Sequence, residues 1–344
     1  MADRPRILIV QFGAIGDVVR ALPLAMRLKD HWPDCHISWA IEPISRDLVS
    51  DHPAIDRVIL FNRKRKLIGY LDFLSELRRY KFDLTLDLQR HLKSGLTSWM
   101  SRAPRRLGFS RANAKEFNWV FNTEYIPTVD NYSSKFGHFQ LFGDLLGAPR
   151  PDKFNFGVEE KCRDLSPSLR RAFEPGGRYC GVILGSSWES RFWFEDNYVE
   201  LLSWLHDARN ITSILIGAKG ESVLAASISA RLGATPHYNL CGETSLTDLF
   251  GIFRRCEFGI GPDSGPMHIA AAAGTRIISL FGATSPLRSA PFGSEDLVLK
   301  SDIHCSPCYK RSCPRLDRAC MQDLSVKIAQ TACDRLLSDQ PQSR

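Results

Sequence analysis

Polar and apolar positions along the chain follow two alternating periods. Arg6-Ile-Leu-Ile-Val10 is a short β-branched run ending in Gln11-Phe12-Gly13, after which Ile15, Val18, Val19, Leu22 and Met26 recur at helical spacing. The segment reads as strand, glycine loop, helix. The same alternation predicts strands over residues 35–41, 57–61 and 82–88, and helices over 45–50 and 67–79. Around Gly147-Ala-Pro-Arg-Pro-Asp152 the periodicity lapses into proline and polar residues, as a linker does. It resumes as strands over 179–184, 211–216, 237–240, 258–260 and 276–281, separated by helices over 195–206, 221–232, 245–253 and 266–273. A last periodic stretch, 324–337, predicts a closing helix, with a frayed tail from Pro341.

Strands alternating with helices imply parallel βαβ units and sheets covered on both faces. The expected fold is therefore α/β, with two Rossmann-like doubly wound domains facing each other across a cleft. Residues 1–150 form the first domain, 151–324 the second, and 325–344 a closing helix and tail. Such sheets bind ligands beyond the carboxyl ends of their strands, so the loops there hold the candidate chemistry.

Composition removes several classes. A chain of 344 residues, 44% hydrophobic and 24% charged with 24 Gly and 19 Pro, is neither collagenous, nor low-complexity, nor a disulfide miniprotein. Each domain is large enough to bury roughly two-thirds of its unfolded surface, so neither metal nor disulfide is needed for folding. No apolar run approaches the 18 or so residues that span a bilayer. The N-terminus lacks the roughly 7–15 residue apolar stretch of a signal peptide. Ten scattered cysteines suit a reducing compartment, and the chain reads as cytoplasmic. The net charge of +7 lies in the first half: residues 1–150 hold 23 Lys and Arg against 16 Asp and Glu, while the remainder holds 22 of each. Residues 57–111 alone carry 14 basic and 4 acidic side chains. Nucleic acid, anionic lipid or a phosphorylated substrate fits that stretch, and so does plain solvent.

Three loops carry candidate chemistry. Gly13-Ala-Ile-Gly16-Asp17 lets backbone approach a ligand and puts a carboxylate in the first turn of the next helix. Taken alone, that carboxylate reads as a favourable charge on the helix dipole. Gly185-Ser186-Ser187-Trp-Glu-Ser-Arg191-Phe-Trp193 brings two hydroxyls and a guanidinium together, a set suited to phosphate oxygens. The alternative is a polar surface loop anchored by Trp193. Gly261-Pro-Asp263-Ser264-Gly265-Pro266-Met267-His268 leads into Ala270-Ala-Ala-Ala273 and Gly274. Pro266 suits the first helical position and Gly274 the left-handed cap. The helix then opens with unpaired N–H groups behind Ser264 and Gly265, an anion site, while Asp263 or nearby carbonyls are suited to a ribose hydroxyl. A plain N-cap is the alternative, and His268 alone reads equally as a structural histidine.

Taken in order, these loops resemble glycosyltransferase family 9, the ADP-heptose:lipopolysaccharide heptosyltransferases. The likeness extends through Phe281-Gly-Ala-Thr-Ser-Pro-Leu-Arg288 and Pro291-Phe-Gly293 and covers almost the whole chain. The resemblance implies the type B glycosyltransferase (GT-B) fold, with acceptor on the N-terminal domain and nucleotide sugar on the C-terminal one. It places Asp17 at the catalytic base position, and Ser186, Ser187, Arg191, Glu221 and Asp263 to His268 at donor-contacting positions. It implies an inverting, metal-independent transfer of heptose from ADP-L-glycero-D-manno-heptose to the lipopolysaccharide inner core, with no cofactor required. An anionic glycolipid acceptor gives the basic first half a partner and places the protein peripherally on the cytoplasmic leaflet of the inner membrane. Two positions depart from the family's habit, Arg191 where Lys is usual and Ser264 where Thr is common. Another nucleotide sugar remains open.

Cys305, Cys308, Cys313 and Cys320 cluster before the last helix, where free thiols, a loop-pinning disulfide, Zn²⁺ or an iron–sulfur cluster are the options. Two rival functions fit less well. An NAD(P)-dependent oxidoreductase lacks its GxGxxG motif. A nucleic-acid binder needs exposed aromatics, yet Phe61, Tyr70, Phe73, Tyr80 and Phe82 fall at core positions, so no nucleic-acid partner is expected.

Overall fold

The computed structural model describes residues 4–163, 165–315 and 317–338. It divides into two compact units, Met1–Gly157 and Val158–Arg344. The first runs β1 (Arg6–Val10), α1 (Ile15–His31), β2 (His36–Ile41), α2 (Arg46–Val49), β3 (Arg57–Leu60), α3 (Lys66–Leu77), β4 (Leu84–Asp87), α4 (Leu92–Met100), β5 (Arg105–Gly108), β6 (Glu124–Tyr125) and α5 (Lys135–Leu145). The second opens with α6 (Glu159–Arg163) and α7 (Pro167–Arg170), then runs β7 (Tyr179–Ile183), α8 (Glu195–Arg209), β8 (Thr212–Ile216), α9 (Ser222–Leu232), β9 (His237–Asn239) and α10 (Leu246–Arg255). It continues through β10 (Phe258–Pro262), α11 (Gly265–Ala272), β11 (Ile277–Phe281), α12 (Pro286–Ser289), β12 (Val298–Lys300), α13 (Ala319–Gln322) and α14 (Val326–Ser338). The tail expected from Pro341 lies outside the described residues.

The two six-stranded sheets share one topology. The first has the order β3-β2-β1-β4-β5-β6 and the second β12-β11-β10-β7-β8-β9, the same succession read from the other edge. Every strand pairing is parallel. This is the doubly wound order expected of βαβ alternation. Central strands are covered on both faces, which is why β1 reads as a continuous aliphatic run after Arg6 and why β7, Tyr-Cys-Gly-Val-Ile, is buried at every position. In each sheet the winding reverses beside the first strand, so the loops after β1 and β4, and after β7 and β10, flank the point where such folds bind ligands.

Elements that the hydrophobic pattern left unread have unusual interiors. Helix α4 buries Ser94, Gly95, Thr97 and Ser98, a small and polar face with no aliphatic stripe. Strand β5 is Arg-Arg-Leu-Gly, with both arginines only partly covered. Strand β12 is three residues long at the sheet edge. The five aromatics picked out in the basic stretch lie in the core: Phe61, Phe73 and Phe82 are buried around Phe12, with Tyr70 and Tyr80 packed against them, while Trp99 is 53% exposed. Among the described residues no helix is long and apolar enough to cross a membrane.

Candidate active site

In the first unit the loop after β1 turns directly into α1, and Asp17 is the third residue of that helix. Its side chain is about one-fifth exposed, 21%. Arg20, one turn along, donates from Nη1 to Oδ1. Lys135, the first residue of α5, donates from Nζ to Oδ1 at 2.9 Å and to Oδ2 at 3.0 Å. The carboxylate thus does more than face the helix dipole, since two cations hold it. The loop itself is clamped at one carbonyl, where Gly13 accepts from Gln11 Nε2 at 2.8 Å and from Gln89 Nε2 at 2.9 Å. Gly16 is buried inside the first turn.

The Gln89 backbone is held by Asp87, the last residue of β4 and the register partner of Val10. Asp87 is fully buried, accepting from Gln89 N at 3.1 Å and from Asn118 Nδ2 at 2.7 Å. Burial pushes its carboxyl up to about 7, against the opposing effect of these donors. Arg20, Lys135, Gln89 and Asp87 were all absent from the sequence reading. Only Asp87, a carboxylate ending an apolar strand beside a loop, left a local signal there.

The second unit knits two of the predicted loops around Asp263. The Asp263 carbonyl accepts from Ser186 Oγ at 2.7 Å and Arg191 Nη1 at 3.0 Å. Its carboxylate accepts from Thr284 Oγ1 at 2.7 Å and pairs with Arg191 at 3.3 Å. Arg191 also lies over the Trp188 ring, 4.0 Å from its centroid. The loops after β7 and β10 are therefore one structure, and Thr284 is a member that sequence reasoning missed. Trp193 anchors the first of them, buried with its indole N–H donating to Leu324 O at 2.8 Å.

Ser264 is the N-cap of α11, yet its side chain makes no capping bond. Its hydroxyl is buried without a hydrogen-bond partner among the described residues. A buried hydroxyl costs free energy unless something accepts from it or donates to it, and here it sits beside the unpaired N–H groups that open a helix. An anion satisfies both. Met267 is fully buried, so it offers that site a backbone N–H and no side chain; His268 is buried too. Gly274 holds φ +78°, the left-handed cap expected of it. Ser187 is exposed on the loop.

Glu221 lies at the same edge, over β7 and β8. A Cβ on Gly185 would meet Glu221 Cδ at 2.4 Å, and one on Gly217 would meet Glu221 Cβ at 2.9 Å. Both glycines are needed for that approach. Glu221 Oε2 accepts from Ala218 N at 2.7 Å, which fixes the carboxylate above the strand ends.

All ten cysteines are free thiols, so no disulfide pins the late loop. Burial, and then the neighbouring Cys305, Cys308 and Cys313, raise the Cys320 thiol to about 11. Among the described residues, no group of three or more His, Cys, Asp or Glu is arranged to hold a metal ion. The segment also buttresses the anion site. Ser190 donates from Oγ to Lys310 O at 2.6 Å and from N to Arg311 O at 3.0 Å. Tyr309 N donates to Ala283 O at 2.8 Å, and Ser306 Oγ to Gly282 O at 2.7 Å.

Two doubly wound units of one strand order, with polar loops at their switch points, give this protein the GT-B fold. The chain belongs to glycosyltransferase family 9 (heptosyltransferase), whose profile matches residues 70–317. It is 26% identical over 295 residues to the lipopolysaccharide core heptosyltransferase OpsX of Haemophilus influenzae, covering 85% of this chain and 83% of that one. It is 28% identical over 324 residues to lipopolysaccharide heptosyltransferase 1 of Pseudomonas aeruginosa, covering 90% and 87%. In structure it resembles the E. coli heptosyltransferase WaaC with ADP, at a TM-score of 0.79 and 19% identity over 96% of this chain and 99% of that one. The same enzyme with ADP-2-deoxy-2-fluoro heptose gives 0.76.

Proposed function

We propose that this glycosyltransferase moves heptose from ADP-L-glycero-D-manno-heptose to the inner core of lipopolysaccharide, with inversion at the anomeric carbon. Its first unit takes the acceptor and its second the nucleotide sugar. The observation that carries the reading is the Asp17 carboxylate, gripped by Lys135 and Arg20 at the carboxyl edge of the first sheet. The relatives' names support heptose and lipopolysaccharide, and WaaC bound to ADP-2-deoxy-2-fluoro heptose supports an ADP-linked heptose as donor.

In this mechanism the acceptor hydroxyl gives its proton to Asp17 as its oxygen bonds to the anomeric carbon, and the bond from that carbon to the ADP oxygen breaks on the opposite face. Asp17 is a weak base while two cations occupy its oxygens. An anionic acceptor competes for Lys135 and Arg20 and so opens a lone pair on the carboxylate as it binds. The departing diphosphate gains negative charge. Arg191, the Ser264 hydroxyl and the N–H groups opening α11 answer it, so transfer is expected without a divalent metal or other cofactor. Glu221 and Asp263 are assigned to the nucleoside portion, with Ser186 and Ser187 beside the phosphates. Salt-sensitive association with the cytoplasmic face of the inner membrane follows from the basic first half.

The test is incubation of the purified protein, treated with a chelator, with ADP-heptose and a panel of truncated lipopolysaccharides, followed by mass measurement of the products. One heptose added to a single truncation identifies the acceptor. Transfer from a different nucleotide sugar, or from none, overturns the assignment.

A further inference from the structure

Helix α3 is apolar on two faces. Gly69, Phe73, Leu74 and Leu77 turn inward, and Phe73 packs on Phe12 and Phe61 with centroids 5.9 and 5.2 Å apart. On the outside, Leu67, Ile68 and Leu71 are 69%, 60% and 55% exposed. At spacings of one and four residues these three share one stripe. Directly before them Arg63, Lys64, Arg65 and Lys66 are all exposed. Arg65 pairs with Asp72 at 2.6 Å, which still leaves the segment strongly cationic.

The stripe is part of a larger edge. Because every strand of this sheet is parallel, the loops following β2, β3, β4 and β5 emerge on one side, the side that also carries Asp17. Those loops expose Ile44 at 72% and Phe117 at 76%, and Leu92, the first residue of α4, is 47% exposed beside them. Large apolar side chains concentrated at one edge and interleaved with cations mark a binding surface. Aliphatic side chains beside a basic cluster suit an anionic bilayer: the apolar groups enter the acyl boundary while Lys and Arg pair with lipid phosphates. Phe61, Tyr70, Phe73, Tyr80 and Phe82 pack in the core, which leaves aliphatic side chains and not rings beside the cations of α3.

We propose that α3 and the preceding Arg63–Lys66 segment dock this edge of the first unit into the headgroup layer of an anionic phospholipid membrane, with Leu67, Ile68 and Leu71 inserted. The inference deepens the glycolipid-acceptor reading by naming the surface and the mode of attachment, insertion as well as charge attraction.

The test is flotation of the full-length protein with vesicles of phosphatidylcholine alone or with added phosphatidylglycerol, containing neither glycolipid nor nucleotide sugar. The result is therefore independent of whether the protein transfers heptose. Wild type should float with the anionic vesicles at low salt and be partly retained at high salt. Leu67→Ser/Ile68→Ser/Leu71→Ser should lower the partition coefficient by about tenfold or more at either salt. Replacing Arg63, Lys64, Arg65 and Lys66 with Gln should lower binding at low salt about tenfold or more and weaken the salt dependence. Unchanged thermal unfolding midpoints would show that both variants are folded. Wild type failing to float, or the triple Ser variant floating as well as wild type, overturns the proposal. So does sedimentation showing that the stripe joins two copies of this chain while neither protein binds vesicles.

Discussion

Asp17, Arg191 and Asp87 each carry a prediction that belongs to a single side chain. Asp17→Asn keeps the shape and loses the proton acceptor, so turnover should fall on the order of 10² to 10⁴ while ADP affinity holds. Steady-state kinetics beside calorimetry separates the two, and near-normal turnover removes Asp17 from the base position. Arg191→Ala should weaken ADP binding about 10- to 100-fold, the scale of one charge-assisted contact. Arg191→Lys should recover most of it, because the charge survives and only the second arm of the fork is lost. Calorimetric titration with ADP measures both. For Asp87 the sign follows from burial. Its folded carboxyl titrates near 7, above the ordinary value of 3.8, so the folded chain holds a proton that the unfolded chain has released. Its contribution to stability is fully present below about pH 4 and is lost as pH rises through about 7. Asp87→Asn should flatten the fall in stability across that window by roughly 2–4 kcal/mol, measured by urea unfolding at several pH values. At this scale the sequence exposed the residues that sit in contiguous loops, Asp17, Ser186, Arg191 and Asp263. It concealed their partners, because Lys135 lies 118 residues from Asp17 and Thr284 21 from Asp263.

Elements show the same division between what is local and what is folded together. Strands β1, β7 and β11 are short runs without charged side chains past Arg6, bounded by loops, and burial on both faces makes that pattern necessary. Helix α10 announces its start with Ser245 and Asp248, which form a reciprocal capping box. Helix α5 gives no such clarity, since its buried side chains include His138 and Gln140 among the phenylalanines. Its place is set by Arg27 of α1, 3% exposed, which donates to the Gln140 carbonyl and side chain at 2.9 Å each, and to Asp144 at 2.9 Å and the Ala148 carbonyl. This seam runs alongside Lys135 and Asp17, so the α1–α5 pairing positions the proposed base. Arg27→Met strands buried carbonyls and an acidic partner and should cost about 3–5 kcal/mol. Urea denaturation measures it, and a loss below about 1 kcal/mol would mean that α5 is held by its phenylalanines alone.

For the whole molecule, ligand-linked stability discriminates the functional classes in one experiment. ADP-sugars should raise the unfolding midpoint in proportion to occupancy, whereas NAD(P) and oligonucleotides should leave it unmoved. Stabilisation by NAD(P) alone would move the protein to the oxidoreductases despite its missing glycine fingerprint.

Local chain stiffness and the period of burial are properties of neighbouring residues, so the sequence by itself determined the parallel α/β alternation, the glycine and hydroxyl loops, and the basic first half. Tertiary structure alone decided that β1 lies between β2 and β4 and β7 between β8 and β10, which sets the loops after β1 and β4 together, and likewise those after β7 and β10. It alone gave Asp17 two cations, left the Ser264 hydroxyl without a partner among the described residues and turned Leu67, Ile68 and Leu71 outward. Those outcomes depend on groups far apart in the chain meeting in a low-dielectric interior or failing to, and no window of sequence contains both members of such a pair.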